Sequence, residues 1–157
     1  MTNILRFVQV FAIGTWVGSI IFFSFVVAPS LFTALGNRDD AGAVVRLSLF
    51  GMHHYGVVMA ILYLIAGVWL ARSARWFISP AAIAVILMLA FTVASQYVVI
   101  PRMDALRTQM GSIAATPAES PLRKEFDHLH GVSVDLEAGV LFVGMIAIYF
   151  TARKERA

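Results

Sequence analysis

The sequence lacks cysteine entirely and has little charge. None of its 157 residues is cysteine, and only 13% are charged. The first absence excludes disulfide frameworks, zinc–thiolate sites, iron–sulfur clusters and thiol nucleophiles. The net charge of +3 is small and is not clustered on one element, which argues against nucleic-acid binding. Phosphate-binding loops, metalloprotease helix motifs and serine nucleophile elbows are also missing, so the sequence offers little evidence for catalysis.

Long uncharged stretches are what the sequence does contain. Hydrophobic residues make up 60% of the chain, against about one half in soluble domains. Three stretches, over residues 7–37, 47–71 and 76–101, have no charged side chain. Because about 20 apolar residues cross a bilayer as a helix, each stretch is long enough to span it. Their continuous apolar character, without alternation, excludes a membrane barrel.

A fourth span requires an extension of the last apolar run. The uncharged stretch over residues 138–152 is too short to cross a bilayer by itself. We therefore begin this span at Ser133, which includes Asp135 and Glu137 in its first turns. The sequence predicts one domain, an all-α integral membrane four-helix bundle. The expected spans are residues 5–27, 50–70, 77–100 and 133–151, with a long non-cytoplasmic connection over residues 101–132.

The orientation follows from the setting of the basic residues. Four spans put both termini on one side, and the two sides carry equal numbers of lysine and arginine. On the terminal side these residues, including Lys154 and Arg156, lie in very short segments next to the membrane. On the opposite side they share long loops with acidic residues. Since short basic segments favour the cytoplasm, we expect both termini there.

The two halves of the chain share a pattern. The sequence Phe25-Val26-Val27-Ala28-Pro29 corresponds to Tyr97-Val98-Val99-Ile100-Pro101 at an offset of 72, and His54 corresponds to His130 at an offset of 76. This pattern predicts two tandem helical hairpins related by a pseudo-twofold axis along the membrane normal. The alternative is coincidence, because proline commonly follows a helix.

A helix is also predicted ahead of the fourth span. Ser120 can cap it and Pro121 suits its first position. The apolar positions then form one stripe at helical spacing, made of Leu122, Phe126, Leu129, Ser133 and Leu136. At 100° per residue, His130 and Glu137 flank this packing stripe, whereas His128 and Asp135 lie behind it.

Two histidines on different helices can bind a transition metal or provide both axial ligands of a b-type haem. We predict that His54 and His130 form this pair near the non-cytoplasmic ends of helices two and four, with Glu137 as a further metal-ligand candidate. An equal alternative is that they make interfacial polar contacts and bind no cofactor. We expect ordinary interfacial contacts for His53 and His128, and we consider Asp135 and Glu137 as a cation or proton site.

Several of these residues carry a family resemblance. The pattern Val27-Ala28-Pro29-x-x-Phe32-x-x-Leu35, followed by Ala41-Gly42 and Phe50, and the pattern Phe126-x-x-Leu129-His130-x-x-Ser133 resemble the bacterial domain of unknown function 4149 family, which is transmembrane protein 205-like. The resemblance implies a four-helix protein of the bacterial inner membrane without an established activity. His130 and Ser133 match best. The family commonly has asparagine at the position of Glu137 and aromatic residues around His53 and His54.

Three functions are consistent with these patterns. The first is a membrane protein that binds a metal ion or haem through His54 and His130, for transport or tolerance. The second is a noncatalytic accessory subunit of a larger membrane complex, or a homo-oligomer, assembled through the Gly14-x-x-x-Gly18 surface. The third is haem-based electron transfer. In each case the lipid bilayer is the main partner.

Overall fold

The structure is a computed structural model that describes residues 2–153; Lys154 and Arg156, which contributed to the predicted orientation, lie outside the described residues. Within this range the chain forms helices and no strand. The α-helices are α1 (Thr2–Phe22), α2 (Ala28–Ala34), α3 (Arg38–Ala71), α4 (Pro80–Ala94), α5 (Ile100–Met110) and α6 (Pro121–Arg153). A short 3₁₀ helix, Ala74–Ile78, connects α3 to α4.

Two pairs of these helices are continuous. A π-helical turn over Phe23–Val27 joins α1 to α2, and a second π turn over Ser95–Val99 joins α4 to α5. The result is four long helical segments, which we call spans one to four. They are Thr2–Ala34, Arg38–Ala71, Pro80–Met110 and Pro121–Arg153, and all four are long and apolar enough to cross a membrane. The predicted all-α four-helix membrane architecture is confirmed.

The helices extend further than the apolar runs that predicted them. Span two begins at Arg38 and span three continues to Met110, because backbone hydrogen bonding continues into polar sequence after the apolar run has ended. Most of the predicted connection over residues 101–132 is therefore helical, and only residues 111–120 are not. The predicted helix start at Pro121 is confirmed. Its apolar stripe packs against α5, with Phe126 buried among Val99, Met103 and Leu106.

The four spans form a closed ring. Helix α1 packs against α3 and α6, and α4 packs against the same two helices from the other side. Trp16, Tyr63 and Met88 are among the largest fully buried side chains. Small residues let the helices approach closely: a Cβ at Gly56 would lie 2.3 Å from Trp16 Nε1. Large apolar side chains such as Phe25, Ile65 and Phe142 point away from the bundle, as expected for surfaces that contact lipid.

Both π turns lie just before a proline. Pro29 and Pro101 are the second residues of α2 and α5. Proline has no N–H to donate and its ring displaces the preceding turn, so a continuous helix has to rearrange its hydrogen bonds upstream. The π turns begin at Phe23 and Ser95, and the offset between them equals the offset between the two prolines. The sequence repeat thus has a counterpart in the backbone.

Candidate functional site

Three spans contribute one polar side chain each to a buried cluster. His53 on α3 is only 2% exposed. Its Nδ1 lies 2.9 Å from Oε1 of Gln96 in the second π turn, and its Nε2 lies 3.1 Å from Oε2 of Glu137 on α6. The Glu137 side chain is 15% exposed. We call these three residues the His53 cluster.

The contact between His53 and Glu137 requires a proton between them. With the Gln96 amide oriented as in this structure, both ring nitrogens of His53 face oxygen atoms. The ring can donate to both oxygens only as an imidazolium; otherwise Glu137 is protonated and donates to Nε2. In either arrangement one proton lies between Nε2 and the carboxyl group. Without it, a nitrogen lone pair would face a carboxylate in a buried site.

Hydroxyl groups extend the cluster into a polar layer. Thr92 and Ser95 are 2% and 1% exposed on the same helical segment as Gln96. The Ser95 hydroxyl lies 3.5 Å from that of Ser133 on α6. A small pocket is lined both by buried members of the layer and by the exposed residues His54 and Tyr97. The layer is therefore close to the surface of the bundle at this pocket.

The cluster lies inside the apolar part of the spans. His53 is seven residues from Arg46 along α3, and Gln96 is six residues from Arg102. At about 1.5 Å per residue these separations are roughly 10 and 9 Å along the helices. Ionisable groups in such a position are expensive to keep and commonly mark a functional site.

Most of the remaining candidate residues are exposed and lie outside this cluster. His54 is exposed, with Nδ1 2.8 Å from the Phe50 carbonyl oxygen and its ring against the Phe50 ring. His128, His130 and Asp135 are also exposed. Asp135 and Glu137 were the two carboxylates predicted as a proton or cation site, and the structure brings Glu137 into contact with His53. Ser133 is placed in the polar layer by its contact with Ser95.

The expectation that His53 makes only an interfacial contact is wrong, because the rotation of α3 turns His53 inward and His54 outward. A signal for this rotation exists in the sequence. Gly56, Ala60 and Gly67 follow His53 by about one, two and four helical turns, and all are buried. Small residues at helical spacing mark the face on which membrane helices contact each other. Gln96 carried no such signal, because its position depends on the π turn.

The predicted metal set is not assembled in this structure. Residues 2–153 contain no group of three histidine, aspartate or glutamate side chains that could hold a metal ion. His54, His130 and Glu137 are thus not gathered into such a group. Metal or haem binding by His54 and His130 stays a prediction, and an absorption spectrum with elemental analysis of the purified protein would test it.

The comparisons with known proteins identify the family. The model for the domain of unknown function DUF4149 matches residues 11–112, which is more than half of the chain. The chain belongs to this family. No curated protein and no solved structure matches it. The DUF4149 match includes His53 and Gln96, while Glu137 lies beyond its end.

Proposed function

We propose that this DUF4149 protein is a proton-binding membrane protein. In this proposal, the His53–Glu137 pair takes up and releases one proton. The single observation that supports it is the 3.1 Å contact between Nε2 of the buried His53 and the Glu137 carboxyl group. Histidine and carboxylate side chains are the usual members of proton relays in membrane proteins.

Binding of the proton should affect how the spans pack against each other. His53 and Glu137 are on spans two and four, and Gln96 is in the π turn of span three. Loss of the shared proton would leave two electron-rich atoms in contact. The contact between the His53 and Glu137 side chains, which joins α3 to α6, should therefore weaken as the pH rises. π turns within α-helices are frequent at functional sites. Such a site suits proton-linked transport or sensing across the membrane.

Entry of the proton from one side is part of the proposal. Along the uncharged run of α3 the cluster is nearer to the side that carries residues 111–120, since His53 is seven residues from Arg46 and nineteen from Arg72. The pocket beside His54 and Tyr97 lies on the same spans. If the protein lies in a bacterial inner membrane with both termini in the cytoplasm, as the basic residues predict, residues 111–120 are on the non-cytoplasmic side. The proton would then come from outside the cytoplasm.

Infrared difference spectroscopy at varied pH tests the proposal directly. The protein is reconstituted in lipid nanodiscs, and the carboxyl and imidazole bands that change with pH are recorded. We expect Glu137→Gln to remove one carboxyl contribution from the spectrum and to alter the imidazole signal. Asp135→Asn is the matched control, because Asp135 is exposed on the same helix two residues away. A Glu137→Gln spectrum identical to that of the unmodified protein would reject the proposal.

A second candidate function is that of a noncatalytic subunit or homo-oligomer. It is favoured by one observation: Gly14 and Gly18 are exposed on α1, and no atom from another helix lies within 4 Å of a Cβ placed on either. This surface is therefore unused within the bundle. Co-purification of the chain at natural abundance would reveal a partner, whereas its isolation alone as a monomer would exclude stable assembly.

A further inference from the structure

A second cavity lies between spans two and three, on the outside of the His53 cluster. Its volume is about 510 Å³, which falls within the roughly 300–1,000 Å³ of typical small-molecule sites. One wall comes from α3 and the other from α5 and the turn before it. Its lining includes Arg46, Leu47, Phe50, Ile100, Pro101 and Asp104. We call this cavity the α3–α5 groove.

One end of the groove is charged. Arg46 Nη1 lies 3.1 Å from one carboxylate oxygen of Asp104, and Arg107 Nη1 lies 3.0 Å from the other. Two guanidinium groups contact this carboxylate, and Asp39 is a second acidic neighbour of Arg107. The Arg46 side chain is 43% exposed. Because guanidinium has five N–H donors in a planar fork, Arg46 can hold a further anion beside Asp104.

The rest of the groove is apolar and open to the outside of the bundle. Leu47 and Phe50 are 64% and 53% exposed on α3. Ile100 and Pro101 form the facing wall, and Gln96 is at the inner end. A positive group at one end and an apolar channel along the remainder match a molecule with an anionic head and a hydrocarbon tail.

We propose that the α3–α5 groove binds an anionic phospholipid of the surrounding bilayer. The phosphate is held by Arg46, and an acyl chain lies along Leu47, Phe50 and Ile100. The exposed Arg46 guanidinium favours an anionic over a zwitterionic head, and the apolar walls distinguish a lipid from free phosphate. This site does not depend on proton binding by His53, although its inner end reaches Gln96 of the His53 cluster.

The test measures lipid binding to the full chain in neutral detergent by native mass spectrometry. Phosphatidylglycerol is the anionic probe, and phosphatidylcholine and inorganic phosphate are the comparison probes. Arg46→Gln removes the charge, while Asp104 retains its contact with Arg107. The matched control is Arg38→Gln, which removes the same charge from an exposed position on the same helix. Since a hydrogen bond to a charged group is lost, we expect the Kd for phosphatidylglycerol to rise roughly tenfold in Arg46→Gln only.

A second pair of variants tests the apolar part of the groove. Leu47→Trp fills the channel, and Ile65→Trp adds the same bulk to an exposed position elsewhere on α3. We expect only Leu47→Trp to weaken phosphatidylglycerol binding, with circular dichroism showing that both variants are folded. Equal binding of phosphatidylcholine, or full displacement by inorganic phosphate, would overturn the proposal. Equal losses in Arg46→Gln and Arg38→Gln, with no effect of Leu47→Trp, would also overturn it.

Discussion

The smallest unit of the proposed function is a pair of side chains. His53 and Glu137 are 84 positions apart in sequence, yet their side chains meet at 3.1 Å inside the bundle. A buried pair of ionisable groups adds little net stability, because the removal of water from both groups offsets their attraction. Loss of one partner is different, since it leaves a buried polar group without its counterpart. The pair should therefore be strongly coupled in measurements of stability.

A double-mutant cycle tests this coupling. His53→Leu or Glu137→Leu alone should lower the free energy of unfolding by about 3–5 kcal/mol, while the double variant should recover most of that loss. Reversible unfolding in mixed detergent micelles provides the measurement. Ser133→Ala, which alters the polar layer without removing a charge, is the control. Additive losses in the double variant would show that the two side chains are not coupled.

Single glycines determine how closely the spans approach. A Cβ at Gly56 would be 2.3 Å from Trp16 Nε1, and Trp16 is 2% exposed and cannot move aside easily. We expect Gly56→Ala to destabilise the bundle by about 1–3 kcal/mol through overpacking. Gly14→Ala has open space around its Cβ and should leave stability unchanged or slightly increased. Thermal unfolding of both variants in the same detergent compares them, and equal melting temperatures would contradict the packing at Gly56.

The choice between His53 and His54 shows where sequence reasoning stops at this scale. Neighbouring residues differ by 100° around a helix, so a modest rotation decides which of the two faces the interior. The apolar stripe of span four made both His130 and Glu137 interior candidates; Glu137 contacts His53, whereas His130 is exposed. In span two the corresponding signal is the row of small residues Gly56, Ala60 and Gly67, which are buried on the same face as His53.

At the scale of elements, the sequence predicts the helices better than their ends. Ser120 and Pro121 correctly marked the beginning of α6, because a capping residue followed by proline is a local signal. Pro29 and Pro101 predicted helix ends, whereas the structure continues each helix through the proline by means of a π turn. A local stop signal is overridden there by packing of the following residues, as for Met103 and Leu106 against α6.

The loop between α5 and α6 is attached to α3 by one carboxylate. Asp39 accepts hydrogen bonds from the Ser112 hydroxyl, from the Ile113 N–H at 3.0 Å and from the Ala114 N–H at 3.3 Å. We expect Asp39→Ala to speed hydrogen exchange of the Ile113 and Ala114 amides roughly tenfold, since charge-assisted hydrogen bonds are lost. Mass spectrometry of deuterated peptides from residues 111–120 provides the measurement.

The neighbouring residue controls for charge in this experiment. Asp40 is exposed in the same first turn of α3 and has the same charge. Asp40→Ala should therefore leave exchange in residues 111–120 unchanged. Equal acceleration in both variants would assign the effect to the end of α3 in general and would contradict an attachment through Asp39.

At the scale of the whole molecule, composition predicted the architecture because lipid imposes few solutions. Only helices or closed barrels satisfy the backbone in a bilayer, and long runs that are apolar throughout select helices. The order of the spans around the ring could not be predicted in the same way, since every span is apolar on most of its surface. It depends on small residues such as Gly56 and Gly144 and on the large side chains that they accommodate.

The absence of cysteine makes the orientation of the molecule directly measurable. A single introduced cysteine is the only thiol in the chain, so its labelling reports one position. Ala74 and Ala118 are exposed in the connections at opposite ends of span three. If both termini are cytoplasmic, a membrane-impermeant maleimide added to intact spheroplasts should label Ala118→Cys, and Ala74→Cys should react only after lysis. The reverse pattern would invert the orientation, and the His53 cluster would then be nearest to the cytoplasm. Labelling of both positions from outside would contradict a membrane-spanning third helix.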